Sequence, residues 1–271
     1  MISAAVLVVA AQTSAVTVRY DLRPDGVPVV LAPQTAASID YPFRPFPDSF
    51  VAKAKASSVD WQAKGAVTPA KDQGAHGYCG TFGRVGAAEG QFAILGGHGL
   101  RNFSEEELID CIGWTKDGSS GHPDQFDYFA KNGFMDDKDY PYCTGGATCK
   151  GDHDPPVPGH PCVLDKSKVI PGTADGAFTN TTGGAPSEDQ MLAFLYKNGP
   201  VNTGINANVF GLRKKGCEAD TSCFITPEMC NKTKGSIDHS ILLTGYGTDP
   251  ANGGDYVSRL FLPACLPACI R

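Results

Sequence analysis

Nowhere in this 271-residue sequence do two cysteines stand in C-x-x-C spacing, although it contains ten of them. That absence removes the zinc-ribbon and thioredoxin-type readings, which need closely paired thiols. Basic residues are outnumbered, 23 lysines and arginines against 29 aspartates and glutamates for a net charge of −6, and no basic tract is interleaved with aromatics. Nucleic acid is therefore not an expected partner. No apolar run is long enough to cross a bilayer as a helix. The stretch MISAAVLVVAAQTSA at the start has only a short apolar core. It has small residues near Ala15 but no basic residue ahead of that core, so residues 1–15 are read as a weak signal peptide. No internal repeat is visible.

What is present is a chain long enough to bury a sizeable core, as one large domain or one domain of two lobes. The scattered cysteines and three N-x-S/T sequons, at Asn102, Asn180 and Asn231, fit a glycoprotein folded in an oxidising, secretory compartment. Cys149, His153, His160 and Cys162 are metal-ligand types, but their spacing is irregular and interrupted by proline. A disulfide-stapled loop is the better reading, and no metal is expected.

Residues 16–58, rich in Pro, Val and Ala, show no sustained helical period and read as a leader or spacer. A helix is predicted from about Cys79, with Phe82, Val85, Phe92 and Leu95 near one face. Gly80, Gly83, Gly86 and Gly90 weaken it by up to roughly 1 kcal/mol each relative to alanine, a cost that close packing against a strand would explain. SEEELIDC from Ser104 is a capping box opening a short amphipathic helix. Another helix is predicted from Pro123 to Asn132, stopped by Gly133, and a capped one in SEDQMLAFLYKNGP at 187–200. Residues 143–186 are loop-like. PVNTGINA and SILLTGYG read as strands. Helices first and strands later make an α+β chain with two unlike lobes.

Cys79 sits where a helix begins, and a helix N-terminus favours a thiolate through its unpaired N–H groups and macrodipole. A nucleophilic cysteine also needs an imidazole. Of six histidines, five lie in Gly- or Pro-rich loop sequence. His239 alone heads an apolar strand, in IDHSILLTGYG. On these residues alone a catalytic pair and a merely buried cysteine are equally good readings.

VDWQAKGAVTPAKDQGAHGYCGTF, SEEELIDC, DYPYC, NGPV and DHSILLTGYG follow one another from Val59 to Tyr256 in the order found in papain-family (cathepsin-like) cysteine proteases. The chain resembles that family across this whole stretch. The resemblance implies a papain-like two-lobed α+β fold over 59–256, with a helical left lobe and an antiparallel β right lobe. It also implies a cysteine-type endopeptidase, monomeric, acting on peptides or proteins without metal or organic cofactor, in a lysosome-like compartment or outside the cell. Cys79 is similar to the nucleophile, His239 to its imidazole partner, and Gln73 to the side-chain donor of the oxyanion hole. Gly121 and Asp238 would line the substrate cleft. Cys111 with Cys149 resembles a family bridge. Cys143 with Cys162 and Cys217 with Cys223 are only two of many pairings that counting allows.

The pattern also departs from the family. H-G-Y-C-G stands for the usual C-G-S-C-W, so His76 replaces a bridging cysteine and Gly80 a tryptophan. GSSGH at 118–122 replaces G-C-N-G-G, so both halves of that bridge are missing together. After GGDY the chain reads VSRLFLPACLPACIR, without the asparagine that orients the histidine or the tryptophan over it. An incomplete right lobe is expected, with 257–271 a tail outside the family pattern, from a splice variant, a frameshift or an incomplete gene model. Residues 16–58 are too short for the family's inhibitory pro-region. The alternative function is therefore a catalytically impaired papain-like homologue that binds peptides or regulates.

Overall fold

The computed structural model describes residues 6–11, 14–22, 28–31, 45–73, 78–95, 98–112, 128–129, 131–142, 162–174, 187–206, 239–248 and 255–260. Strands β1 (Val6–Ala11), β2 (Ser14–Leu22) and β3 (Pro28–Leu31) form an antiparallel meander in a sheet of their own. Helix α1 (Asp48–Lys55) and the short strand β4 (Val59–Asp60) lead to helix α2 (Cys79–Leu95) and helix α3 (Glu105–Ile112). Helix α4 (Glu188–Asn198) precedes strands β5 (Val201–Ile205), β6 (His239–Thr248) and β7 (Asp255–Leu260). Strand β6 is the hub of the second sheet, pairing antiparallel with all three of its neighbours. Ile205 lies opposite His239, Val59 opposite Tyr246 and Asp255 opposite Thr248. Three strands precede the first helix and β4 precedes α2, so the expected order of helices first and strands later holds only from α2 onward.

Helix α2 separates two cores because its two faces differ. Val85 and Ala88 join Phe103, Leu108, Phe129 and Phe134 in a helical core. Trp61, Val67, Leu195, Ile205, Ile241 and Leu243 form a second core on the sheet. Toward the sheet, α2 shows glycine at the i, i+3, i+7 spacing that keeps residues on one helical face, with Ala87 and Ile94 packed against the same core. A Cβ on Gly83 would stand 2.5 Å from Asn202 Oδ1, and one on Gly86 2.9 Å from Leu242 Cδ2. One on Gly90 would stand 2.7 Å from the Pro200 ring and 2.8 Å from the Ala66 carbonyl. The glycines therefore buy close approach at the expense of helix propensity, which is the trade the sequence anticipates. Along this contact Gly83 meets Ser240 and Gly86 meets Leu242, so α2 and β6 run in the same direction. Their first residues, Cys79 and His239, are brought to the same end. Gly90→Ala is expected to destabilise the fold by about 1–3 kcal/mol, because backbone and a proline ring cannot yield as a flexible side chain does. Chemical denaturation measures this; a stabilised variant would mean that helix propensity wins.

The local signals hold with one change. Ser104 Oγ accepts from the Glu107 amide at 3.0 Å, capping α3. The Glu107 carboxylate does not complete a reciprocal box but accepts from the Met135 amide at 2.7 Å and the Tyr128 hydroxyl at 3.0 Å. Ser187 caps α4 by accepting from the Gln190 amide. Gly133, at φ 74°, ends the preceding helical turn with its amide on the Phe129 carbonyl. Most of the helix expected over 123–132 lies outside the described residues.

Two findings differ from expectation. Residues 48–55 are helical although no helical period was legible there. Helix α1 is held from outside itself: Val51 and Ala54 pack against Ala193 of α4. The Gln190 side chain clamps Phe46, its oxygen accepting from that residue's amide at 2.7 Å and its NH2 donating to the carbonyl at 3.0 Å. The second finding is the disulfide. Cys111 bonds Cys162, not Cys149, which also overturns the Cys143–Cys162 pairing. The neighbouring residues bring the two together: the Tyr140 hydroxyl donates to Asp110 at 2.7 Å and accepts from the Val163 amide at 3.4 Å. Cys143, Cys149, Cys217 and Cys223 lie outside the described residues.

Candidate active site

Cys79 is the first residue of α2 and a half-exposed free thiol. Its neighbours Tyr78 and Phe82 are 1% and 2% exposed, so the helix start is anchored on both sides of a partly exposed cysteine. His239, half-buried, is the first residue of β6. The next residue, Ser240, donates from its hydroxyl to the Asn202 side-chain oxygen across the sheet and touches the glycine face of α2. A rigid helix and a rigid strand thus supply one candidate group each. Gln73 is half-buried and its carbonyl accepts from the Tyr142 hydroxyl at 2.7 Å. His76, Gly121 and Asp238 lie outside the described residues.

The loop that leads to Gln73 is fixed by a buried charge network. Lys71 Nζ is 2.7 Å from Glu89 Oε1 on α2 and 2.6 Å from Glu105 Oε1 on α3. Glu89 also accepts from the Thr68 hydroxyl at 2.6 Å and the Phe103 amide at 2.8 Å. Burial, opposed by the Lys71 ammonium and reinforced by the charge of Glu89, pushes Glu105 up to about 8. Glu89 is raised too, burial again outweighing Lys71 and its hydrogen bonds, and burial raises Glu107. A carboxyl raised on folding keeps a proton that the unfolded chain loses, so its contribution to stability is present below about 4.5 and is lost as pH rises toward about 8. Asp136 acts oppositely. Burial pushes it up, but the Arg101 guanidinium and the amide and ammonium of Lys138 hold it below its ordinary value. That contribution is lost on acidification. Melting temperature is therefore expected to fall from mildly acidic to mildly alkaline pH, and Glu105→Gln to flatten the decline. A wild-type profile flat across that range contradicts this account.

Residues 55–258 match the family described as papain family cysteine protease. This chain belongs to that family. It is 34% identical to cysteine proteinase 15A of Pisum sativum over 199 residues, covering 69% of this chain and 47% of that protein. It is 32% identical to procathepsin L of Felis catus over 201 residues, covering 71% and 52%. The chain spans about half the length of the curated relatives it matches. Among solved structures it resembles digestive procathepsin L 3 of the Tenebrio molitor larval midgut, with 29% identity and a TM-score of 0.50 over 74% of this chain and 57% of that one. The digestive procathepsin L2 of the same tissue, 24% identical, shares the fold at a TM-score of 0.54 over 85% and 64%. The papain-like α+β fold is thereby established.

Sequence reasoning missed several residues around these candidate groups. Lys71 and Glu89 are eighteen positions apart, and nothing in their spacing announces a contact. Tyr142 belongs to the DYPYC motif that helped carry the resemblance, but the motif does not say what its ring touches. Arg84 lies five residues beyond Cys79 on α2; burial lowers its pKa, while charge at Cys79 acts against that. Among the described residues no helix is long and apolar enough to cross a membrane.

Proposed function

We propose that the chain is a cysteine endopeptidase working through Cys79 and His239. The observation that carries this reading is the placement of a free, half-exposed thiol at the first residue of α2, at the same end of the glycine contact as the first residue of β6. In the reaction the Cys79 thiolate attacks a peptide carbonyl. The Gln73 amide and the Cys79 backbone N–H hold the oxyanion, and the imidazolium of His239 protonates the departing amine. Water, deprotonated by the imidazole, then hydrolyses the thioester. Gly121 and Asp238 would line the cleft. The substrates are peptides or proteins, no cofactor enters the chemistry, and the monomer suffices. The neutral-side loss of stability derived above suits an acidic, lysosome-like compartment, or secretion into one, where glycans at the sequons are compatible.

A second reading, a catalytically impaired papain-like homologue that binds peptides, is favoured by one observation: Gly80 stands where the family has tryptophan. A peptidyl epoxide at mildly acidic pH separates the two. The first reading expects Cys79 to be alkylated before any other thiol, as located by peptide mapping. Absence of preference for Cys79 selects the second.

A further inference from the structure

Given Gln73 as the oxyanion donor, something must fix the distance between its loop and the head of α2. Tyr142 touches both. Its ring stands edge-on to Phe82 at 4.8 Å between centroids and to Tyr78 at 6.4 Å, the residues that bracket Cys79. Ile109 of α3 closes the same buried cluster. At the far end of the ring the hydroxyl donates to the Gln73 carbonyl at 2.7 Å, across 69 positions of sequence. The tyrosine is itself held by a firm turn. The amides of Asp139 and Tyr140 bond the Asp136 carbonyl at 2.9 and 3.1 Å, the Tyr142 amide reaches Asp137 Oδ1 at 3.3 Å, and the α3 cap residue Ser104 donates to the Tyr140 carbonyl at 2.6 Å. Burial, then the charge of Glu106, with Tyr78, Glu105 and Asp72 adding to it, holds the phenol far above its ordinary pKa. The hydroxyl thus remains a donor at any working pH.

We propose that Tyr142 is a positioning residue for the oxyanion hole: its ring is registered on the first turn of α2 and its hydroxyl holds the Gln73 backbone at a fixed distance from Cys79. This inference rests on the endopeptidase reading for its functional half only; the tether itself does not depend on turnover. It acts on a step in which carbonyl oxygen gains charge, and not on a step in which the sulfur displaces a halide from carbon. The two can therefore be read separately.

The experiment is Tyr142→Phe, which keeps the ring contacts and deletes the hydroxyl. Hydrolysis of a fluorogenic dipeptide amide is expected to lose roughly 10- to 100-fold in kcat with KM unchanged. Alkylation of Cys79 by iodoacetamide is expected to keep its rate, because no oxyanion forms. In a Gln73→Ala background the added Tyr142→Phe change should cost nothing further, since both act through one donor. An unchanged kcat, a parallel fall in alkylation, or additive losses would each overturn the proposal. Backbone amide exchange over residues 71–80 reads the tether without catalysis. Faster exchange in Tyr142→Phe at unaltered melting temperature supports it, and identical exchange overturns it. A wild-type chain that alkylates at Cys79 yet hydrolyses nothing counts against the endopeptidase reading, and exchange alone then decides the role of Tyr142.

Discussion

Cys79→Ala is expected to abolish hydrolysis of a fluorogenic dipeptide amide in mildly acidic, reducing buffer, with a loss on the order of 10⁶-fold in kcat. His239→Ala should fall nearly as far, because thiolate and imidazolium act as a unit: one cannot attack well, nor the other protonate the leaving amine, without its partner. The double variant should accordingly be no worse than either single one. What remains in all three is the rate that a binding cleft and an oxyanion hole sustain without a working thiolate–imidazolium pair. The geometry behind the expectation is the parallel run of α2 and β6, which places Cys79 and His239 at one end of a contact made close by Gly83, Gly86 and Gly90. Turnover that survives in Cys79→Ala would sink the endopeptidase reading outright. If only His239→Ala retained activity, another base would have to serve the thiol.

How far the sequence disclosed this arrangement depends on the range over which each signal acts. Caps are local, so Ser104 and Ser187 announce α3 and α4 within four residues, and Gly133 marks a helix end because a positive φ excludes most side chains. The glycine face of α2 was legible as an anomaly, since glycine at helical spacing in a helix interior needs a reason. Its partner was not legible, because contact with Asn202, Leu242 and Pro200 is made by the fold. Helix α1 escaped notice for a related cause. Its stability comes from Ala193 and from the Gln190 clamp on Phe46, 144 positions away, not from its own eight residues. The disulfide fails by the same logic. Cys111 and Cys162 are brought together by Tyr140 through Asp110 and Val163, and counting cysteines carries no such information. Cys79, His239 and Gln73 stood out as candidates because several motifs recur in a family order. The groups that hold Gln73 in place, Lys71 and Tyr142, carry no signature of their own.

Lys71 offers the largest stability effect. Its ammonium is the cation between two carboxylates, and Glu89 and Glu105 are 0% and 1% exposed whereas Lys71 keeps 17%. Lys71→Met strands both carboxylates in a dry interior. Breaking a buried pair from one side costs about 3–5 kcal/mol, more than the pair itself contributes, because the surviving charge has no compensation. The loss is expected to be smaller at pH 5 than at pH 8. Glu105 already titrates at about 8 with the lysine present, and without it protonation becomes the less costly escape. Two measurements check the assignment. Denaturant midpoints across that range should diverge between wild type and Lys71→Met as pH rises. Lys71→Met combined with Glu105→Leu should recover part of the loss, since one stranded charge is gone while Glu89 keeps its bonds to Thr68 and Phe103. Because Lys71 lies two residues before Gln73, the partly rescued variant should fold yet hydrolyse more slowly than wild type. A variant that regained stability and full kcat together would separate the charge network from the oxyanion hole, leaving Lys71 a structural residue alone.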